Sequence, residues 1–106
     1  MDRGGDPRDG ELVELLVVMP VLNEAASLAQ SLRALQPLRR RGASLVVVDG
    51  GSTDGSIDIA YPLADRTLSA ARGRASQMNA GAAAQRCRVM LFLHADTRLP
   101  DDAYEL

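Results

Sequence analysis

LVVVDGGSTDGS, Leu45 to Ser56, runs from four apolar residues into an aspartate, two glycines and a polar turn. With Ala43 and Ser44 ahead of it, the apolar run has the length and β-branched character of a buried strand. Strands apolar on both faces belong to parallel sheets that carry helices above and below. The loop after Asp49 is tight, and Asp54 or Ser56 is placed to cap a short helix through Ile57 and Ala60, ended by Pro62.

The flanks repeat the pattern. Upstream, LVELLVVMPV from Leu12 reads as another buried strand, ended by Pro20. Asn23 then suits an N-cap and Glu24 a first helical turn. Ala25, Leu28, Leu32 and Leu35 recur at helical spacing, and Pro37 marks the stop. Arg39 to Arg41 read as a solvated helix end. Downstream, DRTLSA holds a short weak strand, and RGRASQMNAGAAAQR a loop and an Ala-rich helix. Gly81 inside that helix costs about 1 kcal/mol relative to Ala, which a close helix contact would justify. VMLFL is a further buried strand ending at His94, and LPDDAYEL opens another helix. The expected fold is α/β, a mostly parallel sheet flanked by helices.

Composition narrows the function. The chain has 106 residues, enough for one small domain. A formal net charge of -2 gives no electrostatic case for binding nucleic acid. All twelve basic residues are arginine, which suggests GC-rich, bacterial coding. Cys87 is the one cysteine, so an internal disulfide and a Cys-based metal cluster are excluded. Residues 1–10 are polar and Gly-rich, lack the apolar core of a signal peptide, and read as a disordered tail. Leu15 to Leu22 is too short to span a bilayer. The expectation is a cytoplasmic protein, with surface association to a membrane left open but not indicated.

In parallel sheets ligands bind beyond the carboxyl ends of the strands, where strand order reverses. Three segments fall at those ends: Pro20 to Glu24, Asp49 to Asp54, and His94 to Thr97. All three carry carboxylates. The glycines after Asp49 let the backbone approach a ligand, although Asp49 equally suits an Asx turn. The stretch lacks the GK[ST] of a phosphate-cradling loop, and GGSTDG does not fit GxGxxG. His94 and Asp96, two apart on a strand end, project to one side. They suit a divalent metal, Mn²⁺ more readily than Mg²⁺, or a loop hydrogen-bond pair. Arg72 and Arg74 offer guanidinium forks that match diphosphate oxygens, or are surface charges.

VVMPVLNEAASL, VVVDGGSTDGS, GRASQMNAGA and LFLHADTRLP, in this order and spacing, resemble family 2 glycosyltransferases of the GT-A fold. The likeness is greatest to the bacterial branch described as radical-SAM/selenodomain-associated, and it covers Leu15 to Pro100. It implies a Rossmann-like GT-A sheet, a nucleotide-sugar donor, a divalent metal (Mn²⁺ or Mg²⁺) and sugar transfer to an acceptor hydroxyl. The family's P-x-Y-N-E matches Pro20, Leu22, Asn23 and Glu24, with Leu22 in place of the aromatic. Its D-D-G-S-T-D matches Asp49, Gly51, Ser52, Thr53 and Asp54, with Gly50 in place of the second Asp. Its metal-binding D-x-D matches His94-Ala95-Asp96, with Asp96 the expected ligand and His94 a substitution. Met78 stands where Arg is common, a charge that Arg72 or Arg74 would supply.

In the family the catalytic base follows the D-x-D, and this chain ends at Leu106. The resemblance therefore implies the donor-binding half, residues 11–106, truncated before the acceptor half. That half would be inactive in transfer by itself and open to self-association at its sheet edge. The other reading is a nucleotide- or metal-binding module without turnover. A nucleotidyltransferase would need a Gly-rich, Arg-containing loop where PVLNEAAS stands.

Overall fold

The structure, a computed structural model, describes residues 12–95. The expected tail, the helix start in LPDDAYEL and Asp96 lie outside those residues. The order of elements is β1 (Leu12–Val21), α1 (Ala25–Ala34), α2 (Gln36–Arg40), β2 (Ser44–Asp49), α3 (Ser56–Ala60), a 3-10 turn (Tyr61–Leu63), β3 (Arg66–Ser69), α4 (Arg74–Ala82) and β4 (Arg86–Phe92). Among the described residues the strands form one sheet in the order β3-β2-β1-β4, with every neighbouring pair parallel.

Alternation along the two central strands sorts their side chains onto two faces. Leu15, Val17, Met19 and Val21 join Leu45 and Val47 against Leu28, Leu32 and Leu35 of the α1 side. Leu16, Val18, Val46 and Val48 make the other face, on which α4 packs through Ala80. Every residue of β2 is buried, as its unbroken apolar run requires. Gly81 explains itself here: a Cβ would stand 2.3 Å from Val18 Cγ1 and 3.1 Å from Val48 Cγ2. The helix lies so close to the sheet that only hydrogen fits. The contact is with strands, not with another helix.

Several boundaries differ from the sequence reading, each for a physical reason. Pro20 does not end β1, which continues through Val21. The Val21 carbonyl accepts from Gly50 N on the β2 side, and the Val18 carbonyl from Leu93 N on the β4 side. Alternation turns Pro20 toward the β4 side, beyond the last pairing at Val18 and Phe92, so its missing N–H removes no ladder bond. Pro37 does not stop the helical run either; it sits in the first turn of α2, where a missing N–H is harmless. Pro62 likewise lies within the 3-10 turn that extends α3. Arg39 is not merely solvated, since its guanidinium makes a two-pronged bond to Asp65, with Nε and Nη2 both at 3.1 Å. β4 begins at Arg86, three residues before the apolar run, and is not the buried strand expected: at the edge of the sheet among the described residues it exposes Val89 and Phe92 as well as Arg86 and Arg88.

Candidate functional site

The reversal of strand order falls between β1 and β4. The chain leaves β1 toward β2 and β3, then returns across the sheet to the other side of β1. A cleft of about 240 Å³ opens at the carboxyl ends of these strands. Pro20, Leu22 and Glu24 line one wall, Arg72 and Arg74 another, and His94 closes it. The structure thus brings together six of the expected residues from three separate segments. Asp96 lies outside the described residues.

Asp49, Gly51, Ser52 and Asn23 do not line that cleft. Asp49 is buried at the end of β2, where its Oδ2 accepts from Gly51 N at 3.0 Å and Ser52 N at 2.9 Å. That is the Asx turn. Its Oδ1 is also buried and has no donor among the described residues. A buried carboxylate oxygen without a donor is costly, so it marks a place where a ligand N–H or O–H is favoured.

Asn23 is not an N-cap. Its φ is 52°, in the left-handed region that asparagine tolerates, and Glu24 holds the cap position without a side-chain cap bond. The amides at the start of α1 are satisfied across the fold instead. Glu24 N donates to Ser56 Oγ at 3.0 Å and Ala25 N to Asp54 Oδ2 at 3.0 Å. Asn23 N donates to Ser52 Oγ at 2.8 Å, and Asn23 Oδ1 accepts from Thr53 N at 2.8 Å. These bonds lock the loop after β1 to the loop after β2. Asp54 Oδ1 also accepts from Ser56 N and Oγ, while Gly55, at φ 88°, takes the N-cap position of α3. The Ser56 hydroxyl first, then the Ala25 amide, hold the Asp54 carboxyl below its ordinary value.

Two site residues escaped the sequence reading. Gln77, buried on α4, donates through Nε2 to the carbonyls of Val21 at 3.0 Å and Val48 at 2.9 Å. Its Oε1 accepts from Gly73 N at 3.3 Å. One amide therefore ties together the ends of β1 and β2 and the Arg72-Gly73-Arg74 turn. The available signal was a glutamine on the sheet-facing side of an Ala-rich helix, paired with glycine at position 50. Ser31, buried on α1, donates its hydroxyl to the Ala95 carbonyl and so anchors the segment after β4.

The sheet topology and strand-end cleft define a doubly wound α/β class of protein, in which ligands bind beyond the carboxyl ends of the strands. The glycosyl transferase family 2 profile matches residues 16–106, and the chain belongs to that family. Succinoglycan biosynthesis protein ExoA of Rhizobium meliloti (strain 1021) is 46% identical over 50 residues, which are 46% of this chain and 15% of ExoA. Glucosyl-3-phosphoglycerate synthase from Mycobacterium tuberculosis, in complex with Mn²⁺, uridine diphosphate and glucosyl-3-phosphoglycerate, superposes with a TM-score of 0.71 at 26% identity. That match covers 79% of this chain and 34% of the synthase. Mannosyl-3-phosphoglycerate synthase from Rubrobacter xylanophilus gives a TM-score of 0.72 at 22% identity, over 85% of this chain and 33% of that one, and so supports the fold. The chain thus spans about a third or less of the relatives it matches. The parallel sheet flanked by helices is the GT-A arrangement of these structures. Among the described residues no group of three His, Cys, Asp or Glu is placed to hold a metal, and no helix is long and apolar enough to cross a membrane.

Proposed function

We propose that this chain is the donor-binding part of a glycosyltransferase that moves a sugar from a nucleoside-diphosphate sugar to an acceptor hydroxyl. The observation that carries the reading is Asp49 Oδ1, a buried acceptor at a strand end with no donor among the described residues. A nucleobase N–H or a ribose hydroxyl supplies that donor. Gly51, at φ 108°, and Ser52 keep the Asp49 loop in shape, while Asn23 and Glu24 hold it against the end of β1. Pro20 and Leu22 give the cleft an apolar wall without an aromatic ring.

Departure of the nucleoside diphosphate concentrates negative charge on its oxygens as the anomeric C–O bond breaks. Arg72 and Arg74 border the cleft, and guanidinium charges there stabilise that developing charge. Gln77 positions their turn. Asp96, which matches the metal-ligand position of the resembling motif, would hold a divalent ion. Bound that way, Mn²⁺ or Mg²⁺ would neutralise part of the leaving group's charge. The Mn²⁺ and uridine diphosphate in the complex of the mycobacterial synthase support this ligand class.

Calorimetry with uridine, guanosine, adenosine and their diphosphates tests the reading. Asp49→Ala is expected to weaken nucleoside binding about ten- to hundredfold even in chelator, the loss typical of a charged hydrogen bond. Equal affinities for Asp49→Ala and the parent chain would return Asp49 to a turn-forming role.

A further inference from the structure

The turn that carries Arg72 and Arg74 is pinned at both ends to one strand end. On one side Ala70 N donates to the Asp49 carbonyl at 3.0 Å. On the other, Gly73 N donates to Gln77 Oε1 at 3.3 Å, and Gln77 Nε2 donates to the Val48 carbonyl at 2.9 Å. Val48 and Asp49 are neighbours at the end of β2. Residues 70–73 therefore form a short bridge whose two feet stand on adjacent residues, and Arg72 lies within its span.

Both components of the second foot are specialised. Gly73 has φ 133° and ψ 136°, a conformation that a side chain rarely allows. Gln77 is buried, and Nε2 also donates to the Val21 carbonyl at 3.0 Å, so the amide is held by the ends of both central strands. Its Oε1 has room there because position 50 is glycine: a Cβ would stand 2.8 Å from it. Gln77 lines the cleft beside Arg72, Gly73 and Arg74 but carries no charge. A turn already fixed at the cleft spares a bound anion part of the ordering that mobile arginines would require.

We propose that the Gln77–Gly73 clamp is the positioning device for the donor's diphosphate: it holds Arg72 and Arg74 in register with the strand end that bears Asp49. The proposal rests on the donor-binding reading and assigns Gln77 an effect on the anion that runs through the two arginines.

Two variants break the clamp without altering a charge. Gln77→Met keeps a long buried side chain and removes the three hydrogen bonds. Gly73→Ala strains the turn and leaves Gln77 intact, since a Cβ there meets nothing within 4 Å; it carries the test should Gln77→Met fail to fold. Affinities for uridine, guanosine and adenosine diphosphate are measured by calorimetry with Mn²⁺, at low and high salt, on proteins whose melts show them folded. The parent is expected to bind at least one of the three, more weakly at high salt because charges are screened. Each variant should weaken low-salt binding about two- to tenfold, the loss expected for a neutral hydrogen bond, and should weaken high-salt binding less. With Arg72→Ala and Arg74→Ala both present, the same variants should change affinity by less than about twofold, because the groups they position are gone. A loss of equal size at both salt concentrations that persists in full without the arginines makes the clamp merely structural and overturns the proposal, while the donor-binding reading stands. Unchanged affinity in the folded variants does the same. Absence of binding of all three diphosphates by the parent overturns both.

Discussion

Gln77 occupies the space a side chain at position 50 would need: a Cβ on Gly50 would lie 2.8 Å from Gln77 Oε1 and 2.9 Å from its Cδ. The two residues form a matched pair. Glycine leaves room for the amide, and the amide donates to the Val21 and Val48 carbonyls near the ends of the central strands.

Gly50→Asp is therefore expected to destabilise the fold by about 1–3 kcal/mol, the range for overpacking a well-packed site. Gln77→Ala should destabilise by a similar amount, because it removes two buried hydrogen bonds to the Val21 and Val48 carbonyls, of which the Val21 carbonyl keeps its bond from Gly50 N. The double variant should lose less than the sum, since the smaller residue at 77 makes room for the aspartate. Urea denaturation of the four proteins measures the coupling; strictly additive losses would show that the two positions do not interact.

Gly81 sets the distance between α4 and the sheet. On helix propensity alone Gly81→Ala would stabilise by about 1 kcal/mol. The 2.3 Å approach to Val18 Cγ1 should reverse that sign and lower the melting temperature. Val18→Ala costs stability by itself, but combined with Gly81→Ala the loss should be less than the sum of the two, because it removes the carbons in the way. Thermal melts that show Gly81→Ala to be stabilising would mean that the helix can lift off the sheet.

Asp54 links folding to acid. Hydrogen bonds from Ser56 and Ala25 lower its folded pKa below the ordinary 3.8. A carboxylate of depressed pKa adds stability that is complete above the unfolded value and is lost as pH falls through the folded one. Asp54→Asn should thus be less stable than the parent at neutral pH, and the gap should close below the ordinary aspartate range. Stability curves at a series of pH values check this; a gap that persists unchanged into strong acid would refute it.

Ser31→Ala removes the hydroxyl that donates to the Ala95 carbonyl. The expected loss is about 0.5–1.5 kcal/mol in stability, with faster amide exchange around Leu93 and His94. Exchange confined to the surroundings of residue 31 would argue that α1 does not anchor this segment.

The β-branched runs of the two central strands made the parallel sheet legible, because burial on both faces demands unbroken apolar sequence. The residues directly after those runs marked the strand ends, although only the segment after β1 lines the cleft and the Asp49 loop does not. Local pattern also foretold that Gly81 met something closely, but it could not say what. Whether Val18 or a neighbouring helix stands there depends on how two elements pack.

Long-range partners decided the rest. Asn23 has the composition of a cap, yet Ser52 and Thr53, 29 and 30 residues away, claim its backbone N–H and its side-chain Oδ1. Capping of α1 passes to Asp54 and Ser56 because the sheet places the loop after β2 beside the start of that helix. Pro20 could remain inside a strand only because the fold turned its missing N–H away from a paired neighbour. Gln77 looked like an ordinary helix residue until α4 lay across the ends of β1 and β2. Sequence by itself determined the alternation of strands and helices, and the residues from which a strand-end site would be drawn. Tertiary structure decided which polar groups serve one another and which, like Asp49 Oδ1, have no donor among the described residues, because hydrogen-bond satisfaction depends on distance in space and not along the chain.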